Sequence, residues 1–202
     1  MVKQLERSQI EIASEVLARA FQNEPIHSVI FADPEKRKKK MPAYFKFLIK
    51  YTMKKGKVLV TSPKIEAVAL VLPSKNAHVT FWNSLTCGAF TLIRKMGLKV
   101  MDRLMLHDYV FNKIHKKVMT TPHLYLMTMG VEPEYDGKGF GKQLFYHIIE
   151  HENPDKLPIY FDTNGETTML KGVGHGIEIL DKTTIPGTNV ENWAMVLKLK
   201  EN

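Results

Sequence analysis

The chain has 202 residues and a mass of 23.2 kDa, the size of one domain that can bury roughly 70% of its unfolded surface. A single cysteine, Cys87, leaves no internal disulfide and no cysteine-based zinc site; no apolar run approaches the ~18–20 residues that span a bilayer, and without a signal-peptide pattern the expected setting is cytoplasmic. The net charge of +8 invites nucleic acid, but the densest basic run, Lys36 to Lys40, has no interleaved aromatics, so a polyanionic small ligand explains the charge equally well and nucleic acid is not the expected partner.

In chain order, Lys3 to Glu6 reads as a short strand. Ser8 to Glu11 has the spelling of a capping box, opening a helix to about Phe21 with Ile10, Ala13, Val16, Leu17 and Ala20 inward. Asn23-Glu24-Pro25 breaks it. Asp33 and Pro34 start a second helix, which Pro42 is expected to interrupt and Gly56 to end. Lys57 to Thr61 and Ala67 to Leu72 are strands joined by a short turn. Val79 to Met96 and Leu98 to Val118 are two helical segments split by Gly97. Cys87, in the apolar run Phe81 to Ile93, reads as a small buried hydrophobe.

Leu124 to Val131 is apolar enough for a buried strand, and Pro133 stops it because proline lacks the N–H that a ladder needs. Gly137, Gly139 and Gly141 then alternate with Lys138 and Phe140. From Lys142 the apolar residues Leu144, Phe145, Ile148 and Ile149 recur at helical spacing. Glycines here let the backbone approach a ligand, and the first N–H groups of the helix have no intrahelical acceptor; with the helix dipole they make an anion site suited to pyrophosphate. Other phosphate loops do not fit. A Walker loop ending at Lys142 needs glycine at Asp136 and a hydroxyl at Gln143, and a dinucleotide fingerprint starting at Gly137 needs glycine at Lys142.

Further on, Leu157 to Asp162 is a strand, Asn164-Gly165 turns into a brief helix (166–171), and Ile177 to Leu180 and Trp193 to Leu199 are the last strands. The result is one α/β domain over 1–202, a mixed central sheet flanked by helices, with 79–118 as a helical insert.

Val131, Pro133, Gly137, Gly139, Gly141 and Leu144 spell Val-x-Pro-x-x-x-Gly-x-Gly-x-Gly-x-x-Leu. This resembles the coenzyme A loop of the GNAT superfamily of N-acetyltransferases, in its small-molecule subgroup. The likeness extends to Ala20-Phe21 before Glu24-Pro25, to Ala67–Pro73, to His123–Leu126, and to His175-Gly176-Ile177-Glu178, where the family has Gly-Phe-Glu. It departs at Asp136, where the family loop begins with Gln or Arg, and at Gly172, where relatives carry a tyrosine that protonates the departing thiolate.

The resemblance implies a GNAT fold and transfer of acetyl from acetyl-CoA to a primary amine of a small molecule, directly within a ternary complex. No metal is expected. The pyrophosphate would meet Gly137, Lys138, Gly139, Phe140, Gly141 and Lys142, and the pantetheine arm the main chain of Met129 and Val131. An alkylammonium costs about 4–5 kcal/mol to deprotonate at pH 7, so a base is needed. Tyr125 stands where histone-modifying relatives carry a glutamate, and Asp162 is the nearest carboxylate across the cleft; these are the catalytic candidates. His123 and His175 are expected to be structural. Acylation of a protein lysine or N-terminus, and coenzyme binding without catalysis, are the alternatives. A homodimer is left open.

Overall fold

The computed structural model describes residues 1–199, and all their side chains except that of Phe81. The strands are β1 (Lys3–Gln4), β2 (Lys57–Val60), β3 (Ala67–Pro73), β4 (Leu124–Val131), β5 (Ile159–Thr163), β6 (Glu178–Thr184) and β7 (Glu191–Leu197). They form one seven-stranded sheet in the order β1-β2-β3-β4-β5-β7-β6. Every pairing is antiparallel except β4 with β5. The helices are α1 (Ile10–Ala20), α2 (Pro25–Ile30), α3 (Pro34–Lys55), α4 (Phe81–Leu85), α5 (Ala89–Met96), α6 (Leu98–Val118), α7 (Phe140–His151) and α8 (Glu166–Gly174).

Central β3 shows why helices cover both faces. Side chains alternate along a strand; Val68, Leu70 and Leu72 join Leu17 of α1 and Phe45 and Ile49 of α3 in one core. Ala67, Ala69 and Val71 meet Leu144 and Ile148 of α7 on the other face. Each fully buried leucine there is worth about 2–3 kcal/mol of apolar transfer. Cys87 lies buried in the first of these cores.

Three local expectations are corrected. The cap before α1 lies two residues earlier than Ser8: the Glu6 backbone N–H donates to the Gln9 side chain at 3.2 Å, and Arg7–Gln9 form a single 3-10 turn. Pro42 does not interrupt α3, which runs unbroken from Pro34 to Lys55. Met41 and Phe45, on either side of it, are buried in the core, and that packing outweighs one lost helical hydrogen bond. The segment 79–96 is two helices, because the chain turns at Gly88, whose φ is +97°.

The β3–β4 ladder slips between Leu70 and Val71: Leu70 faces Thr128, whereas Val71 faces Leu126. Met127 is the extra residue of a β-bulge, which bends its strand and sharpens the twist. On its other side β4 pairs with β5 only at Leu124–Tyr125 against Ile159–Tyr160. Beyond Tyr125 the two strands part, and the β5-facing edge of β4 has no strand beside it.

Candidate active site

The glycine loop follows the parted end of β4. Pro133–Tyr135 make one 3-10 turn, and Gly139, at φ +86°, is the residue that enters α7. A side chain there would strain the left-handed backbone. Gly141 has a different reason: a Cβ on it would come within 3.3 Å of Val131 Cγ2, so its absence lets α7 lie close on β4. Among the described residues, the N–H groups of Gly139, Phe140, Gly141 and Lys142 find no acceptor, Gln143 being the first to bond back, to the Gly139 carbonyl at 2.9 Å. The helix therefore opens with free donors on all four, the arrangement that binds anions.

Gly137 differs. Its N–H donates to the side chain of Asp136 at 2.9 Å, so a carboxylate already holds one donor of the cradle. Lys138 lies over the Tyr135 ring at 5.0 Å and Lys142 over Tyr146 at 5.6 Å, each leaving its charge near the loop. Arg19 of α1 grips Glu132 through two nitrogens, at 2.7 and 2.8 Å, and ties α1 to the start of the loop.

On the first face of the sheet, beside the parted strands, Tyr125 and Met127 of β4 pack against the core together with Phe21 after α1, Tyr44 of α3 and Phe111 of α6. Asp162 of β5 acts electrostatically on Tyr125, and His27 of α2 on His107 of α6. The rings touch one another: Phe21 lies 5.9 Å from His27, His27 6.1 Å from Tyr44, and His107 4.0 Å from Phe111.

Asp162 is the carboxylate beside Tyr125. Its Oδ1 accepts from the Tyr160 hydroxyl at 2.8 Å and from Asn192 Nδ2 at 3.1 Å. Its Oδ2 is enclosed and has no hydrogen-bond partner. Burial pushes its pKa up to about 7, with the two hydrogen bonds pulling the other way. The neighbouring carboxylate and its own burial push Tyr125 in the same direction, burial being the larger effect, so its phenol keeps its proton. Burial lowers His27 to about 4 and His107 to about 3, so both imidazoles are neutral at pH 7.

The expected coenzyme residues thus stand together at the end of β4, and both catalytic candidates, Tyr125 and Asp162, lie on the same face of adjacent strands. His123 is buried. Its Nδ1 donates to the Thr121 carbonyl at 2.7 Å, its Nε2 lies 2.6 Å from that of His115, and His115 stacks on Tyr160 at 4.2 Å. His175 is exposed and bonds the Lys171 carbonyl at 2.7 Å. Gly172 is buried inside α8, where a Cβ would approach Met195 Cε to 3.1 Å. Tyr160 and Asn192, which hold Asp162, were not foreseen as site residues. The only local sign of Tyr160 was its alternation with Asp162 on one strand.

A scan against protein-family models finds no match, and neither does a search of the curated proteins. Solved structures do match along the full length. One from Corynebacterium glutamicum, titled histone acetyltransferase HPA2 and related acetyltransferase, is 19% identical and covers 97% of this chain and 94% of its own, with a TM-score of 0.67. Arylalkylamine N-acetyltransferase 2 from Aedes aegypti is 11% identical, covering 99% of each chain at a TM-score of 0.60. A polyamine N-acetyltransferase of Drosophila melanogaster, described as forming N-acetylagmatine, is 15% identical, covering 98% of this chain and 99% of its own at a TM-score of 0.58. The chain has the GNAT acetyltransferase fold.

Proposed function

We propose that this protein is an acetyl-CoA-dependent N-acetyltransferase that passes the acetyl group directly to a primary amine of a small molecule within a ternary complex. The observation that carries this reading is the conjunction, at one end of β4, of four free N–H donors, an unpaired strand edge and a carboxylate held near neutrality. Free donors from Gly139 to Lys142 suit the pyrophosphate of coenzyme A, with Gly137 and Lys138 beside them. The edge of β4 around Met129 and Val131 suits an extended amide arm, because strand addition needs only backbone. The bound donor supplies the acetyl thioester.

Asp162 accepts the proton of the incoming ammonium. A base is most effective when its pKa lies near the working pH, and about 7 meets that condition. Tyr160 and Asn192 position this carboxylate through Oδ1, which leaves Oδ2 without a hydrogen bond. Tyr125 retains its proton and can donate to the departing thiolate, a role that the family tyrosine cannot fill at Gly172. The scheme calls for no metal. The related structures take arylalkylamines in one case and agmatine in another, so the fold leaves the acceptor open.

The test is calorimetric titration with acetyl-CoA beside the Gly139→Glu variant, which puts a charge and a bulky side chain at the cradle. Micromolar binding that the variant loses, followed by thiol release dependent on added amine, is the expected outcome. Tight binding without turnover on any amine would reduce the protein to a coenzyme-binding module. No binding at millimolar ligand would refute the coenzyme reading altogether.

A further inference from the structure

The basic run at the start of α3 and a set of exposed apolar side chains from the helical insert meet at one corner of the molecule. There α5 and α6 join through Gly97 alone. Its N–H donates to the Ile93 carbonyl at 2.9 Å, and its own carbonyl accepts from the Met101 N–H at 3.1 Å. α5 buries Leu92 and Met96 but leaves Phe90 74% and Ile93 41% exposed, about one helical turn apart. Leu98, on the α6 side of the glycine, is 75% exposed. Lys40 of α3 donates to the Met96 carbonyl at 2.6 Å, which fixes the first turns of α3 against this corner.

The charge around the corner is almost all of one sign. Residues 67–101 contain no Asp or Glu, and they carry Lys75, Arg94, Lys95 and Lys99. Arg94, Lys95 and Lys99 are exposed and form no ion pair among the described residues. On α3, Lys36 lies one turn before Lys40 and Lys39 directly before it, both exposed; Lys36 pairs with Asp33 at 3.3 Å. The first carboxylate of α6 is Asp102, a turn beyond Leu98. Side chains three-quarters exposed line no groove that could hold a peptide. A second copy of the chain would bring the same cations face to face, which is repulsive. Protruding apolar groups ringed by cations match a surface that is anionic outside and apolar beneath. No helix of the described residues is long and apolar enough to cross a membrane, so the contact is with the interface.

We propose that the α5–α6 corner docks on an anionic lipid bilayer. Phe90, Ile93 and Leu98 enter the headgroup region, and Arg94, Lys95 and Lys99 meet the lipid phosphates and carboxylates. Lys36 and Lys39 strengthen the attraction from α3.

The experiment sediments the full chain with vesicles of phosphatidylcholine alone and of equimolar phosphatidylcholine and phosphatidylserine. Two double variants run beside the wild type, Phe90→Ser with Leu98→Ser and Lys95→Gln with Lys99→Gln. The wild type should bind the mixed vesicles at least about tenfold more tightly than phosphatidylcholine and be released by salt. Each cation near an anionic surface contributes about fivefold, so the lysine variant should bind about 25-fold more weakly. The apolar variant should lose about tenfold or more, and circular dichroism should show the fold unchanged in both. No binding to the mixed vesicles would overturn the proposal, as would binding that the apolar variant keeps in full, since charge alone would then explain it. A wild-type dimer that Leu98→Ser splits would put a second copy on the corner, and a tighter hold on duplex DNA than on mixed vesicles would make it a nucleic-acid surface; either result overturns lipid docking. Gly139→Glu should bind vesicles as the wild type does, so a failure of the coenzyme reading leaves the docking result standing.

Discussion

Asp162→Asn separates the cost of a buried carboxylate from its use. The wild-type carboxyl titrates near 7 in the folded protein and near 3.9 when unfolded. Between those values the folded state holds a proton that the unfolded state has released, so wild-type stability declines as pH rises from about 4 to about 7 and is flat above. Two of the three units fall between pH 5 and pH 7, roughly 2.7 kcal/mol at full strength. Asp162 keeps some contact with solvent, which scales the effect to about 1–2 kcal/mol. Asparagine retains an oxygen for Tyr160 and Asn192 and cannot ionise, so the variant lacks this slope. Urea denaturation of both proteins at pH 5 and pH 8 measures it, since every other titrating group cancels in the difference. The variant should gain about 1–2 kcal/mol on the wild type between the two pH values while losing about 10²–10⁴ in turnover. Parallel stability profiles would refute the assignment of a near-neutral pKa to Asp162, and full activity would refute its role as base.

Replacing Asp136 with alanine frees the Gly137 N–H and removes a negative charge from the cradle; coenzyme A should bind several-fold more tightly, most clearly at low salt, by calorimetry. Gly130→Ala puts a Cβ 2.9 Å from both Ala20 Cβ and Phe21 Cε2, so the variant should lose about 1–3 kcal/mol in thermal or chemical denaturation. His27 is held to about 4 by burial. The unfolded chain therefore binds its proton first, and stability falls as pH drops from about 6.5 to about 4; in His27→Gln this part of the acid slope should be missing from urea titrations at pH 6.5 and 4.5.

The glycine loop was legible because its signals are local: strand, proline, alternating glycines and helix lie within one short stretch, and each acts on its immediate neighbours. Strand positions were legible for the same reason. Pro42 was misjudged because the local rule counts one lost hydrogen bond, whereas Met41 and Phe45 sit in a core assembled from distant parts of the chain. The bulge at Met127 and the parting of β4 from β5 are properties of pairings between strands, which no single strand spells out. Asp162 could be proposed from its place at a strand end, but its hydrogen bond from Asn192 comes from a residue 30 positions away.

The path from β3 to β4 is simple. Pro73, the last residue of β3, and Leu124, the first of β4, face each other across the ladder. The two strands are thus a hairpin, and α4, α5 and α6 are its connection. Lengthening a loop between fixed ends costs little, about 0.6 kcal/mol for each doubling, and leaves the register of the strands untouched. The helix that carries His107, Asp108 and Phe111 is part of a detour in an ordinary strand reversal, and can be rebuilt at full length without moving a residue of the coenzyme cradle.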